Sequence, residues 1–120
     1  MAAHPAFGLA EALVAGDFDR VMTMLATDVR MRALIPPGPV ELWGATDAGA
    51  TFASWFGGSE DLELVHSGSD EIGDRLHVFY RLRRNRGGAP PSIVEQHLVC
   101  TLAEGRITAI DLVCSGFRPE

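Results

Sequence analysis

Apolar positions along this 120-residue chain keep two different rhythms. In the first half they recur at helical spacing. Phe7, Ala10, Leu13 and Val14 do so behind Pro5, which suits a first helical turn, until Gly16 stops the run. Phe18, Val21, Met22 and Leu25 repeat the pattern behind Asp17, a good helix cap. Ala48, Phe52, Trp55 and Phe56 line one face of a third helix that follows Gly44 and ends at Gly57-Gly58. Between these last two helices, Asp28 to Ile35 reads as a strand whose start Asp28 orders. Pro36-Pro37-Gly38-Pro39 then breaks the chain before a short extended piece from Val40 to Trp43. From Leu62 onward the rhythm is that of strands, near 61–68, 74–85, 92–102 and 106–117, with turns at Ser67–Gly73 and Gly87–Pro91. Helices first and antiparallel strands after predict an α+β fold, a strongly curved sheet wrapped as a cone around three N-terminal helices. Residues 1–120 form one domain, large enough to bury about two-thirds of its unfolded surface.

The last hairpin carries the most specific pattern. Its two strands are joined through Ala103-Glu104-Gly105, whose glycine supplies the positive φ of a short turn. Glu95 and His97 sit on the first strand and Asp111 on the second, inside otherwise apolar runs. A few polar groups in strands this apolar predict a sheet buried on both faces, with those groups aimed into a pocket inside the cone. Glu95 and His97 are two apart, so they share a face and can act as an acid–base pair. The plainer reading is a buried histidine satisfied by hydrogen bonds. Asp111 depends on register: a three-residue loop places it opposite His97, whereas a two-residue turn sends it to the other face. Tyr80 can present a hydroxyl to the same pocket, Trp55 and Phe52 pack first and touch a ligand second, and Trp43 closes the mouth.

Composition narrows the partners. Ten basic residues against 16 acidic give a net charge of −6, which counts against nucleic acid and anionic membranes. All ten basic residues are arginine; Arg81, Arg83, Arg84 and Arg86 are the only cluster and read as a solvated hairpin end rather than a phosphate site. No apolar run approaches a membrane span and the N-terminus lacks a basic leader, so the cytoplasm is the expected location. Cys100 and Cys114 fall too far apart along the hairpin to pair and read as buried thiols in a reducing compartment. The four histidines, His4, His66, His77 and His97, show no zinc-site spacing, so neither metal nor cofactor is expected. Both parities of the last hairpin are apolar, which predicts a homodimer covering the outer sheet face.

Three segments, GDFDRVMTMLATDV, PPGPVELWGATDAGATFASWFGG and VEQHLVCTLAEGRITAIDL, together resemble the ketosteroid-isomerase and SnoaL-like polyketide-cyclase superfamily. The resemblance spans roughly residues 5–117 and implies the cone fold shared with nuclear transport factor two. It leaves function open, because that fold hosts isomerases, cyclases, dehydratases, hydrolases and binding modules. The isomerase itself uses a carboxylate base with a tyrosine and a protonated acid on the oxyanion. Laid on this chain, the base falls at Ala33, the tyrosine at Leu9 and the second acid near Glu95. The resemblance therefore implies a domain that binds a small apolar molecule and lacks ketosteroid isomerase activity. The competing expectation is a cofactor-free isomerase, cyclase or dehydratase acting on a polyketide-like or terpenoid substrate through His97 and Glu95.

Overall fold

A computed structural model describes residues 8–57, 61–85 and 87–120. Helix α1 runs Leu9–Ala15 and α2 Phe18–Thr23, where the Asp17 carboxylate accepts from the Arg20 backbone N–H at 3.2 Å. Strand β1 spans Leu25–Ile35, β2 Gly38–Trp43, and helix α3 Ala45–Phe56 follows. Strands β3 (Asp61–Ile72), β4 (Arg75–Asn85), β5 (Ser92–Ala103), β6 (Arg106–Cys114) and the two-residue β7 (Arg118–Pro119) complete the chain. The fold is α+β, with one curved, unclosed seven-stranded sheet in the order β2-β1-β6-β5-β4-β3, and β7 paired to β5. All neighbours are antiparallel except β1 and β6.

Several boundaries move from those predicted. The first strand begins at Leu25, so Asp28 lies within it, exposed, and does not order its start. Leu25 leaves the helical stripe because its pairing with Ile107 outweighs the helical spacing. The predicted turn over Ser67–Gly73 is mostly strand: β3 continues to Ile72 and only Gly73 and Asp74 turn. Gly68 lies opposite Phe79 there, and a Cβ on it would come within 2.4 Å of the Phe79 ring. Glycine inside this strand makes room for an aromatic neighbour. The start of the first predicted helix, around Pro5 and Phe7, and the Gly58 stop lie outside the described residues.

Alternation decides which sheet face meets the helices. Leu76, Val78, Tyr80 and Leu82 of β4, with Val94, Gln96, Leu98 and Cys100 of β5, are buried. They pack with Leu9, Leu13, Val21 and Phe52 of the helices in one core. Bulges between Leu25 and Arg30, Leu64 and His66, and Thr101 and Leu102 interrupt the ladders. Such insertions bend and twist strands, which curls the sheet over the helices. The residues between the buried ones, His77, Phe79 and Arg81 on β4 and Glu95, His97 and Val99 on β5, face outward.

Candidate functional site

Two depressions divide the chemistry of the molecule between the sheet faces. The first enters the cone. It is a cavity of about 370 Å³ whose lining includes Ile35, Trp55, Phe56, Val94, Gln96, Cys114 and Phe117, together with Pro36, Pro37 and Gly116. Trp55 meets Phe52 and Phe56 edge-on at 5.6 and 6.3 Å between centroids, and Phe56 meets Phe117 at 6.2 Å. These rings hold each other in place and leave an apolar wall.

One polar row crosses that apolar interior. Tyr80 is the register partner of Gln96, and Gln96 of Cys114, so the three side chains lie side by side across β4, β5 and β6. Tyr80 is fully buried and donates its hydroxyl to Gln96 Oε1 at 2.5 Å. Burial pushes the Tyr80 hydroxyl well above its usual range, and the neighbouring Cys114 and Cys100 thiols add to the shift. The phenol therefore stays neutral and remains the donor, which turns the Gln96 carbonyl toward it. The other half of the amide is left over: Gln96 Nε2 is buried and has no hydrogen-bond partner. Gln96 is also the only buried polar or charged residue among those described, Tyr80 being counted with the core. Cys114 is half-buried at the cavity, where the Gly116 backbone N–H donates to its Sγ at 3.3 Å. Cys100 lies deeper, with its thiol pushed up to about 12, chiefly by burial. Both cysteines are free.

The second depression lies on the outer face. A groove of about 710 Å³ runs over β1, β2, β4, β5 and β6, with Leu34, His77, His97, Val99, Asp111 and Val113 along it. Beside it Arg81 contacts Glu95 at 2.8 Å, and Glu95 accepts from His97 Nε2 at 2.8 Å. The hydrogen bond from His97, then that from Arg81, holds the Glu95 carboxyl below its usual range. With Nε2 of His97 committed to a carboxylate, its Nδ1 receives His77 Nε2 at 3.1 Å. His77 Nδ1 is 3.5 Å from Asp70, and Phe79 stacks on both imidazoles at 5.2 and 5.4 Å.

Several expected positions are corrected by this arrangement. Glu95 and His97 do bond each other, but they lie on the outer face, with side chains 34% and 44% exposed, and not inside the cone. The cause is phase: Val94, Gln96 and Leu98 take the inward positions, which puts residues 95 and 97 outside. Tyr80 points inward as expected, but toward Gln96 rather than into open space. Trp55 lines the cavity, whereas Phe52 packs one layer behind it and is fully buried. Trp43 is 62% exposed and does not line the cavity, whereas Trp55 and Phe117 do. Asp111 shares a face with His97, as the longer loop would have it, although the turn has two residues. Glu104 and Gly105 have φ of 53° and 78°, and the bulge near Thr108 restores the parity that the short turn would have reversed.

Gln96 was not singled out from the sequence. Its one signal is alternation with Val94, Leu98 and Cys100, which marks it as inward once the phase of β5 is known. The arginine cluster is accounted for by neighbours: Arg83 contacts Glu63 at 3.0 Å and Glu120 at 2.7 Å, and Arg84 lies 3.6 Å over the Phe117 ring. Arg86 lies outside the described residues. Among the described residues no helix is long and apolar enough to cross a membrane.

Comparison with known proteins agrees with this architecture. No curated protein matches the chain. Among solved structures it is similar to a hypothetical protein with a ketosteroid isomerase-like fold from Catenulispora acidiphila, in complex with trimethylamine. That match has a TM-score of 0.73 at 15% identity, over 97% of this chain and 88% of that one. A candidate polyketide cyclase of Pseudomonas putida gives 0.70 at 17% identity, over 93% of this chain and 90% of that one. An LEH-like epoxide hydrolase of M. tuberculosis gives 0.65 at 18% identity, over 92% of this chain and 80% of that one. Such identities establish a shared fold, while the model of the SnoaL-like domain matches residues 8–110 directly. The chain thus belongs to the SnoaL-like domain family.

Proposed function

We propose that this domain binds a small apolar molecule in the cone, against Trp55, Phe117 and Gln96, and that it lacks ketosteroid isomerase chemistry. The observation that carries the reading is the cavity's character: aromatic and aliphatic walls around one unpartnered amide. Its volume of about 370 Å³ suits a compact ligand rather than a large one. The positions where the isomerase has its base and its tyrosine are Ala33 and Leu9, both buried and apolar. Positioned proton abstraction contributes roughly 10²–10⁴-fold, and one oxyanion donor on the order of 10²–10³. Gln96 is no base and replaces neither group fully.

The test uses the second of the two tryptophans as a reporter. In a Trp43→Phe background, Trp55 fluorescence should shift saturably with cyclohexanone or a larger apolar ketone, and the purified protein should not isomerise a 3-ketosteroid above the buffer rate. An unchanged Trp55 signal across the panel overturns the binding reading. Rapid isomerisation overturns the other half.

We propose further that a second copy of this chain covers the outer face. Leu34, Val99 and Val113 stand 55%, 45% and 55% exposed along one groove, an unusual run of wet aliphatics for a monomer. The charges beside them are already paired within one copy, Arg32 with Asp111 at 2.9 Å and Arg81 with Glu95. An identical partner therefore brings no unmatched charge. The free thiols at Cys100 and Cys114 suit a reducing compartment, which favours the cytoplasm. The 2.8 Å contact between His97 and Glu95 supports one competing reading, an acid–base pair working on a polyketide-like or terpenoid substrate in the outer groove. A second copy seated on the groove would exclude that substrate, so the two readings are alternatives.

A further inference from the structure

Among the described residues, Cys114 is the one nucleophilic side chain on the wall of the cone cavity, and nothing in the binding reading uses it. Directly opposite it in register is Gln96, whose amide nitrogen is buried and unpartnered. Opposite pairs on neighbouring antiparallel strands hold their Cβ atoms about 4.5–5.5 Å apart. Both residues line the same small apolar cavity from adjoining strands. Each alone means little. A buried N–H without an acceptor costs on the order of 1–3 kcal/mol, and a ligand oxygen placed there would recover it.

We infer that Cys114 is a covalent capture site for a small α,β-unsaturated carbonyl compound held in the cone, with the Gln96 amide on its carbonyl oxygen. The inference rests on the proposal that the cone binds a small apolar molecule. Such a compound matches both halves of the site: an apolar body for the aromatic wall, an acceptor oxygen for Gln96, and an electrophilic carbon displaced from that oxygen toward Cys114. The Gly116 N–H holds the sulphur on the cavity wall. The Tyr80 hydroxyl, donating into Gln96 Oε1, polarises the amide so that its N–H is a stronger donor.

The step balances without a cofactor. The Cys114 thiol gives up its proton and a C–S bond forms at the β-carbon. The π pair of the C=C moves toward the carbonyl, whose developing negative charge the Gln96 N–H receives. A proton then returns at the α-carbon. The net change is addition of S–H across the double bond, with nothing oxidised or reduced overall.

The probe is 2-cyclohexen-1-one, with cyclohexanone as its unreactive counterpart. Intact-mass measurement should show a single adduct, and peptide mapping should place it on Cys114 with Cys100 unmodified. Cys114→Ser should abolish the adduct, with a melting curve to show that the variant is folded. Gln96→Leu should slow addition about 10-fold or more, given what removing an oxyanion donor costs. A melting curve shows whether that variant is folded. A wild-type measurement guards against misfolding: the rate with the enone relative to methyl iodide, which needs no oxygen holder, should exceed that of a free cysteine peptide about 10-fold. Equal ratios in protein and peptide, or equal enone rates in folded Gln96→Leu and wild type, overturn the role of Gln96. Cyclohexanone binding without any Cys114 adduct overturns the capture site and leaves the cone reading standing. Absence of both overturns both.

Discussion

The two faces of one sheet differ more than the two ends of the molecule. On β5, Val94, Gln96, Leu98 and Cys100 are sealed against the helices, while Glu95, His97 and Val99 between them stay partly wet. The inner face is nearly all hydrocarbon and keeps one polar row, Tyr80–Gln96–Cys114. The outer face mixes aliphatics with linked charges and imidazoles, from Arg81 through Glu95 and His97 to His77. Titratable groups that look catalytic in sequence gather where water already reaches them. The neutral amide and thiol lie where a ligand would be desolvated. Burial, more than residue type, separates a binding cavity from a surface network here.

The largest contrast should come from neighbouring residues of β5. Leu98→Ala on the inner face should cost about 2–5 kcal/mol of unfolding free energy, because a fully buried side chain leaves a cavity among packed neighbours. Val99→Ala, next along the chain but facing outward, should cost roughly 0.5 kcal/mol or less in the isolated chain. Urea unfolding of both variants checks this. Equal losses would mean that the faces are not as different as their burial suggests.

The outer face should matter to assembly instead. Wild type should sediment as a dimer at micromolar concentration, and Val113→Glu should yield a folded monomer with a melting temperature close to that of the dissociated wild type. The new carboxylate would stand among Leu34 and Val99 in the groove, where a second copy could not solvate it. A wild-type monomer would remove the homodimer proposal and reopen the groove to a ligand.

How far the sequence foretold these faces depends on which physical signal each needed. Helical stripes around Val21 and Phe52, the Gly105 turn and the order of elements are local signals, and they delivered the architecture. The phase of β5 is not local. Both parities of Val94–Leu102 are rich in apolar residues, so periodicity could not say whether His97 or Gln96 faces the helices. The bulge near Thr108 carries no glycine or proline, and it alone places Asp111 beside Val99 on the outer face. The passage of β3 through Ser67-Gly68-Ser69 was hidden because those residues read as turn formers, whereas Gly68 is there for the Phe79 ring. Tertiary contacts overrode propensity at each of these places.

The smallest effect expected concerns Glu95, and its sign distinguishes a surface network from a buried dyad. The folded state holds this carboxyl below its usual range through His97 and then Arg81. A depressed folded pKa stabilises the protein above the unfolded value, near pH 4.3, and that contribution is lost as pH falls through the folded value. Glu95→Gln should therefore destabilise the chain at pH 7 and match wild type once both are below the folded value. With the side chain about a third exposed and its Arg81 partner half exposed, solvent screens the pair, so the loss should be only a few tenths of a kcal/mol. Urea midpoints of both proteins across pH 2 to 7 measure it, at low salt where the difference is largest. A loss of several kcal/mol at neutral pH would instead be the behaviour of a carboxylate buried against His97. It would mean that in solution the outer face is sealed, by a second copy or otherwise, far more tightly than a single chain seals it.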